Sequence, residues 1–208
     1  KTGYYYYDFI KAKKNNIKNE EEISDTVLVA PSWNYSSKNF LELHCLDLIY
    51  QLLEKNYKVI FRPHQEHFKR NQKTISTINN KFCNNNNFVF DTSPFNLNSL
   101  FSSSYLITDY SGIAHEFIFL INKPVLYFKN LSKIHNTEQN KLTGSTIEEH
   151  IYEKFGFPIY ENNIDNIDLS IKNSKKSFDK KINSIQNFAK QNFYNFTESD
   201  KASIHFFL

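Results

Sequence analysis

Two short polar segments of the sequence combine side chains that bind phosphate groups. Arg62–His64 follows the apolar run YKVIF, and Asp109–Gly112 follows YLIT and contains one of only four glycines in 208 residues. A guanidinium grips anionic oxygens through parallel N–H donors, and an imidazole adds a further donor. A helix that begins at Ile113 would add unpaired backbone N–H groups. Together these groups suit a diphosphate.

Two further polar segments follow apolar runs in the same way. Pro31-Ser32-Trp33 comes after TVLVA, and Asp91-Thr92-Ser93-Pro94 comes after FVF. If all four runs are parallel strands, their carboxyl ends lie along one edge of the sheet, where ligands of such sheets bind. We therefore expect Ser32, Trp33, Thr92 and Ser93 to join Arg62, His64, Asp109, Tyr110, Ser111 and Gly112 in one site.

Each of these residues also has a purely structural interpretation. Arg62 could pair with a carboxylate, and His64 could be an ordinary loop histidine. Asp109 could cap the turn, and Ser111 could be the N-cap of the following helix. Trp33 is more typical of a wall or core residue than of a stacking platform for a base. Only their joint placement at strand ends favours a site.

Other chemistries are less well supported by the sequence. It contains no GxGxxG or GxxxxGK[ST] phosphate loop, and Ser111 has no G-x-S-x-G context. His64 and His67 lack further ligands at zinc-site spacing, so we interpret them as loop residues and expect no metal. His115 and Glu116, on the first turn of the predicted helix, could face the ligand or water.

The elements that would position these residues alternate between strand and helix. The predicted strands are Thr26–Ala30, Tyr57–Phe61, Phe88–Phe90, Tyr105–Thr108 and Pro124–Phe128. The predicted helices are Phe40–Leu53, about His67–Asn80, Asn96–Phe101, Ile113–Leu120, a helix from a capping box at Ser145–Glu148 to Phe155, and a long helix Ser174–Asn192. This alternation predicts an α/β fold: a Rossmann-like parallel sheet of five or six strands with helices on both faces.

Composition limits the possible classes of function. The length of 208 residues suits a single domain. The net charge of +3 and a mean hydropathy of −0.56 suit an anionic small molecule or a brief contact with an acidic membrane surface. Lys and Arg form no basic stripe with interleaved aromatic residues, so the sequence does not indicate a nucleic-acid-binding protein. No apolar run is long enough to span a membrane. Cys45 and Cys83 lack CxxC spacing and indicate free thiols in a reducing, cytoplasmic compartment.

Several segments together resemble the CDP-glycerol glycerophosphotransferases of teichoic-acid and capsule synthesis. FRPHQEHFK and LITDYSGIAHEFIFLINKPVLYF are similar to the family's Arg-Pro-His-Pro segment, its (I/T)-(S/T)-D-Y-S-S segment with a following acidic residue, and its K-x-P-V-x-(F/Y) segment. KTGYYYYDF resembles T-G-Y-P-x-x-D, and LVAPSW resembles A-P-T-W. TIEEHIYEKFG and FTESDKASIHFF match more loosely. Three departures stand out: Gln65, Gly112 and Tyr5 replace Pro, Ser and Pro.

The resemblance implies the nucleotide-binding, C-terminal lobe of a two-lobed GT-B architecture. Arg62 and His64 would lie near the donor diphosphate as catalytic residues, Ser111 and the adjacent helix start would hold phosphate oxygens, and Glu116 would contact the ribose. The expected donor is CDP-glycerol, with no required cofactor. The family's acceptor lobe, with a His-Gly segment that supplies the base, is expected to be missing from residues 1–208.

The implied reaction is transfer of glycerol phosphate, or a related polyol phosphate, to a hydroxyl of a cell-surface polymer. The expected location is cytoplasmic, with peripheral contact at the inner face of the plasma membrane. Two alternatives stay open at this point. One is a GT-B glycosyltransferase or epimerase-like protein that uses another nucleotide sugar, and the other is a non-catalytic nucleotide-binding module.

Overall fold

A six-stranded parallel sheet forms the centre of the protein. The computed structural model describes residues 3–16, 25–34, 39–93, 97–129 and 146–199. The strands are β1 (Thr26–Ala30), β2 (Lys58–Phe61), β3 (Phe88–Phe90), β4 (Tyr105–Thr108), β5 (Val125–Phe128) and β6 (Phe157–Ile159). Their order is β3-β2-β1-β4-β5-β6, and every pairing is parallel. The prediction of a Rossmann-like parallel sheet is confirmed, and the order reverses between β1 and β4.

Helices cover both faces of this sheet. They are α1 (Tyr5–Asn16), α2 (Phe40–Leu43), α3 (Cys45–Glu54), α4 (Gln65–Arg70), α5 (Gln72–Phe82), α6 (Asn98–Phe101), α7 (Ile113–Glu116), α8 (Ile147–Phe155), α9 (Ile167–Asp179) and α10 (Ile182–Asn192). Along β1, Val27 and Val29 pack with α3, α5 and α9, whereas Leu28 and Ala30 pack with α1, α7, α8 and α10. This alternation follows from the two-residue period of a strand.

Three helices that the sequence predicts as continuous are interrupted. The predicted helix Phe40–Leu53 breaks at His44, whose ring stacks on Phe128 with centroids 4.8 Å apart. The predicted helix His67–Asn80 is α4 and α5, separated at Asn71, and Ser174–Asn192 is the end of α9 followed by α10. Apolar periodicity is the same on both sides of each break, so the pattern does not reveal them.

The sequence also missed or misplaced other features. Three elements were not predicted: helix α1, the start of helix α9 and strand β6. Helix α7 continues as a π-helical turn, Phe117–Ile121, that ends at Asn122 with φ of 60°. The capping box of α8 is Thr146 with Glu149, one residue later than predicted. The predicted capping residue Ser145, residues 94–96 and the polar loop from residue 130 lie outside the described residues.

Candidate functional site

The loops after β1 and β4 are joined by a buried carboxylate. Asp109 Oδ1 accepts from the N–H of Ser32 at 2.7 Å, and Oδ2 accepts from its hydroxyl at 2.8 Å. Both residues are buried. The strands beneath are tied in the same way, since the Thr108 hydroxyl donates to the Ala30 carbonyl at 2.6 Å. The sequence predicts that Asp109 and Ser32 contact the ligand; in the structure they bind each other and so join the two loops.

The turn from Asp109 to Gly112 is fixed on its other side by Tyr152. The phenol oxygen accepts from the N–H of Ser111 at 2.8 Å and lies within hydrogen-bond distance of the Asp109 and Ser111 carbonyls. Tyr110 points into the same aromatic cluster, with its ring centroid 5.1 Å from that of Tyr152. Tyr110 therefore packs against the core and is not placed in the cavity that Ser111 lines.

The helix after this turn begins one residue later than a Ser111 N-cap would require. Gly112 is the N-cap residue of α7, with φ of −57°, and no side chain caps it. A Cβ on Gly112 would meet no atom of the described residues within 4 Å. The N–H groups of Gly112 and Ile113 have no acceptor within the described part of the chain. The turn thus has two backbone donors that no described residue occupies, on residues that line a cavity.

Arg62 follows β2, on the far side of β1 from β4, and lines cavities together with residues of that turn. Its Nε lies 3.9 Å from Oδ2 of Asp91, and its side chain is 13% exposed. Asp91 is itself held by the N–H of Ser93 at 3.0 Å and by the hydroxyl of Ser99. The carboxylate therefore orients the guanidinium and keeps it at the edge of the sheet.

His64 and Gln65 lie beside Arg62 at the start of α4. His64 is the N-cap of α4, and its Nδ1 accepts from the N–H of Glu66 at 3.2 Å. A neutral ring that accepts at Nδ1 carries its proton on Nε2. Gln65, which stands where the family pattern has Pro, donates through Nε2 to the Thr92 carbonyl at 3.2 Å. This bond links the loops after β2 and β3.

A cavity of about 280 Å³, here called the Arg62 cavity, joins these segments. Arg62, His64 and Ser111 line it together with Pro31 and Ile113. The structure therefore brings together the two segments with which the sequence argument began. The cavity offers a guanidinium, an imidazole and a hydroxyl, which are the groups that bind phosphate oxygens.

Glu116 lies at the junction of two further cavities. With Arg62, Gly112 and Tyr6 it lines a space of about 230 Å³, and with His115 and Tyr7 one of about 510 Å³. The carboxyl group is buried, and its Oε2 has no hydrogen-bond partner among the described residues. Burial raises the pKa of Glu116 to about 7, although Arg62 opposes the shift.

His115, next to Glu116 in the chain, also carries a buried polar atom without a partner among the described residues. Its Nε2 is buried and makes no hydrogen bond within the described residues. Burial lowers its pKa, because the charged imidazolium is disfavoured away from water. Both His115 and Glu116 thus face cavity space, which leaves the ligand interpretation of the sequence in place.

Trp33, Thr92 and Ser93 are also absent from the lining of the Arg62 cavity. Trp33 packs against α4, with the Arg70 guanidinium 5.4 Å from its ring centre, so the wall interpretation fits it best. Thr92 and Ser93 are exposed on the loop after β3 and do not line the cavity. They contribute through the backbone, where Thr92 O and Ser93 N–H bind Gln65 and Asp91.

His67 is not the loop residue that the sequence suggested. It is fully buried in α4, with Nδ1 2.9 Å from Oδ1 of Asn71 and Nε2 3.1 Å from the Ser32 carbonyl. The described residues hold no group of three His, Cys, Asp or Glu side chains that could bind a metal. No helix in that part of the chain is long and apolar enough to cross a membrane.

Sequence reasoning missed Asp91, Gln65, Tyr6 and Tyr152 as parts of the site. Asp91 could have been found, because it follows β3 directly, as Arg62 follows β2. Tyr152 carried no such signal, since it lies within an amphipathic helix 41 residues after Ser111. Only the packing of α8 against the turn reveals its role.

The fold is an α/β domain built on a six-stranded parallel sheet, of the GT-B type. The family model of CDP-Glycerol:Poly(glycerophosphate) glycerophosphotransferase matches residues 1–203. The chain belongs to this family, as the resemblance of its motifs predicts. No curated relative matches it significantly.

Two solved structures show the same fold. The wall teichoic acid polymerase TagF is 20% identical with a TM-score of 0.50; the match covers 97% of this chain and 45% of that one. A UDP-GlcNAc 2-epimerase from Neisseria meningitidis, bound to UDP-GlcNAc, is 13% identical with a TM-score of 0.54. That match covers 91% of this chain and 53% of the epimerase chain. The chain thus spans about half the length of these proteins.

Proposed function

We propose that this chain binds a CDP-activated polyol, CDP-glycerol above all, and forms the donor-binding lobe of a glycerophosphotransferase. The whole protein would transfer glycerol phosphate to a hydroxyl group of a cell-surface polymer and release CMP. One observation carries the proposal: Arg62, His64 and Ser111 meet in one cavity at the strand ends. Family membership supplies the chemical class of donor.

The Arg62 cavity suits charge neutralisation more than covalent catalysis. In the reaction, the acceptor oxygen forms a bond to the β-phosphorus, the bond from that phosphorus to the bridging oxygen breaks, and CMP leaves with the electron pair. Negative charge grows on the departing phosphate, where Arg62 and the His64 Nε2–H would stabilise it. The N–H groups of Gly112 and Ile113 would hold the phosphate oxygens in place.

Glu116 would take the ribose of the donor in this proposal. Glu116, whose Oε2 has no partner among the described residues, lines a cavity together with Arg62, so one ligand could contact both residues. A ribose hydroxyl either donates to a carboxylate or accepts from a carboxylic acid. It therefore pairs with Glu116 on either side of a pKa near 7.

Two partners complete the proposal. A second lobe would supply the acceptor site and the base that takes the acceptor proton. Residues 1–208 are then expected to bind donor but to turn over little or nothing, because catalysis requires both sides of the cleft. The inner face of the plasma membrane would be a peripheral contact; α1 supports this with exposed Tyr5 and Phe9 beside Lys13.

Calorimetric titration of the chain with CDP-glycerol, CDP-ribitol, CMP and UDP-GlcNAc tests the proposal. We expect CDP-glycerol to bind more tightly than CMP, because CMP lacks the second phosphate group that Arg62 would grip. Tighter binding of UDP-GlcNAc than of either CDP-polyol would favour a nucleotide-sugar enzyme instead. Binding of CDP-glycerol by the full-length protein without any transfer would favour the non-catalytic module.

A further inference from the structure

Tyr152 is hydrogen-bonded to the turn that the proposed function assigns to phosphate, although it comes from a different part of the chain. Its Oη lies 2.8 Å from the Ser111 nitrogen, 2.8 Å from the Asp109 carbonyl oxygen and 2.9 Å from the Ser111 carbonyl oxygen. The phenol accepts from the N–H and has one hydrogen to donate, so it serves one carbonyl at a time. All three contacts fall on residues between β4 and α7.

We propose that Tyr152 is a positioning residue that sets the phosphate-binding conformation of the Asp109–Gly112 turn. This inference rests on the proposed function. The phenol occupies the N–H of Ser111 and so removes that donor from the reach of a ligand. The N–H groups of Gly112 and Ile113, which have no acceptor within the described residues, are left to face the phosphate.

The turn is thereby held from two directions. Its first residue, Asp109, is fixed by its side chain to Ser32 after β1, and its backbone is fixed by Tyr152 from α8. A turn held at both ends loses little conformational freedom when a ligand binds, and preorganised donors bind more tightly. Tyr152 thus acts on affinity through the backbone and does not touch the ligand.

Burial keeps the phenol in the protonated form that this role requires. Tyr152 is 1% exposed, and burial raises its pKa well above the usual value. Its ring packs against Tyr110 and Tyr127, with centroids 5.1 and 4.7 Å away. A phenylalanine would keep these ring contacts, so the hydroxyl has a purpose other than filling the core.

Tyr127 offers a matched control for that hydroxyl. It is 2% exposed and belongs to the same aromatic cluster, but its hydroxyl makes no hydrogen bond within the described part of the chain. Tyr127→Phe and Tyr152→Phe therefore delete the same group from neighbouring rings. Only the second deletion releases the turn.

The test measures the binding of CDP and of cytidine to the whole chain and to both variants by calorimetry. We expect Tyr152→Phe to raise the Kd for CDP about tenfold, the equivalent of about 1.4 kcal/mol. The Kd for cytidine, which has no phosphate, should change less than twofold. Tyr127→Phe should change both less than twofold. If Tyr152→Phe only disturbed the packing, the Kd values for CDP and for cytidine would rise together.

Amide hydrogen exchange on the wild-type chain tests the same role without a variant. The Ser111 amide should be protected before any ligand is added, since it already donates to Tyr152. The Gly112 amide should become protected only when CDP is added. Rapid exchange of the Ser111 amide would overturn the role of Tyr152. So would an equal loss of affinity for CDP and for cytidine in Tyr152→Phe.

The proposed function and the positioning role of Tyr152 are overturned by different results. If the wild-type chain binds no CDP, the proposed function fails and the positioning role fails with it. If the wild-type chain binds CDP and Tyr152→Phe binds it equally well, the positioning role alone is overturned.

Discussion

Two neighbouring parts of the sheet edge use similar polar residues in opposite ways. Between β1 and β4, Asp109 and Ser32 are buried and bind each other. Between β2 and α7, Arg62 borders a cavity and Glu116 has an oxygen without a partner in the described part of the chain. We call the first region the closed edge and the second the open edge. In the closed edge polar groups satisfy one another, whereas the open edge keeps polar groups turned towards cavity space.

This difference separates support from contact. A buried carboxylate with two donors is costly to remove, because its partners are then left unsatisfied in the interior. A buried carboxyl with an unpaired oxygen already costs folding free energy, and such costs are found where ligands bind. Substitutions in the closed edge should therefore reduce stability, and those in the open edge should reduce ligand binding.

The largest expected effect is on the closed edge. Asp109→Ala should lower the free energy of unfolding by about 2–4 kcal/mol, because the N–H and hydroxyl of Ser32 lose their acceptor. Urea unfolding followed by circular dichroism measures the change. Asp165→Ala, which removes an exposed carboxylate, should cost less than about 0.5 kcal/mol. Equal costs for the two variants would erase the distinction between the edges.

The next effect concerns Glu116 and pH. The carboxyl titrates at about 7 in the folded chain against 4.5 as the ordinary value. Between these values the folded chain keeps a proton that the unfolded chain has lost, so stability falls as the pH rises from 4.5 to 7. The fall is about 3 kcal/mol, at about 1.4 kcal/mol per pKa unit. Unfolding measured at several pH values tests this.

Glu116→Gln should remove this part of the pH dependence, because an amide does not titrate. Two kinds of neighbour interact with this carboxyl group: Arg62 lowers its pKa against the effect of burial, and the pKa values of Tyr4 and Tyr7 are raised by burial first and by Glu116 second. Glu153→Gln changes an exposed carboxylate and should leave the wild-type slope. If Glu116→Gln kept the wild-type slope too, the fall in stability with rising pH would not come from the open edge.

The sheet could be predicted from the sequence because buried parallel strands are short, apolar and bounded by polar residues. TVLVA and YLIT fit this pattern without ambiguity, and both strands lie where they were expected. β6 was missed because its residues, Phe-Pro-Ile, include a proline, which argues against a strand; β3 is equally short but has none. The break at His44 depends on stacking with Phe128, which is a tertiary contact that no local pattern contains.

The site was only partly predictable for a related reason. Strand ends identify which residues share an edge, and this brought Arg62, His64 and Ser111 together correctly in space. Strand ends do not show which way a side chain turns. Asp109 and Arg62 looked equivalent in the sequence, and only burial and hydrogen bonding separate them.

The third effect is on ligand binding at the open edge. Arg62→Ala should weaken CDP binding by about 1.5–3 kcal/mol, the usual value of a charged hydrogen bond. Arg62→Lys should recover only part, because an ammonium cannot reproduce the two parallel donors. Arg70→Ala is the matched control, since that guanidinium lies over Trp33, outside the cavity. Losses of similar size in both variants would indicate a general charge effect.

The smallest effects fall on the turn that joins the two edges. Ser111→Ala should weaken CDP binding by about 0.5–1.5 kcal/mol, because one hydroxyl is lost while the backbone donors stay. Gly112→Ser should strengthen it by up to about 1 kcal/mol. A serine fits there without strain, since φ is −57° and a Cβ would meet no atom of the described residues within 4 Å. Its hydroxyl would then add a donor on the open side. Calorimetry with CDP and cytidine measures the affinity of both variants. If Gly112→Ser bound CDP more weakly than the wild-type chain, the phosphate would lie elsewhere.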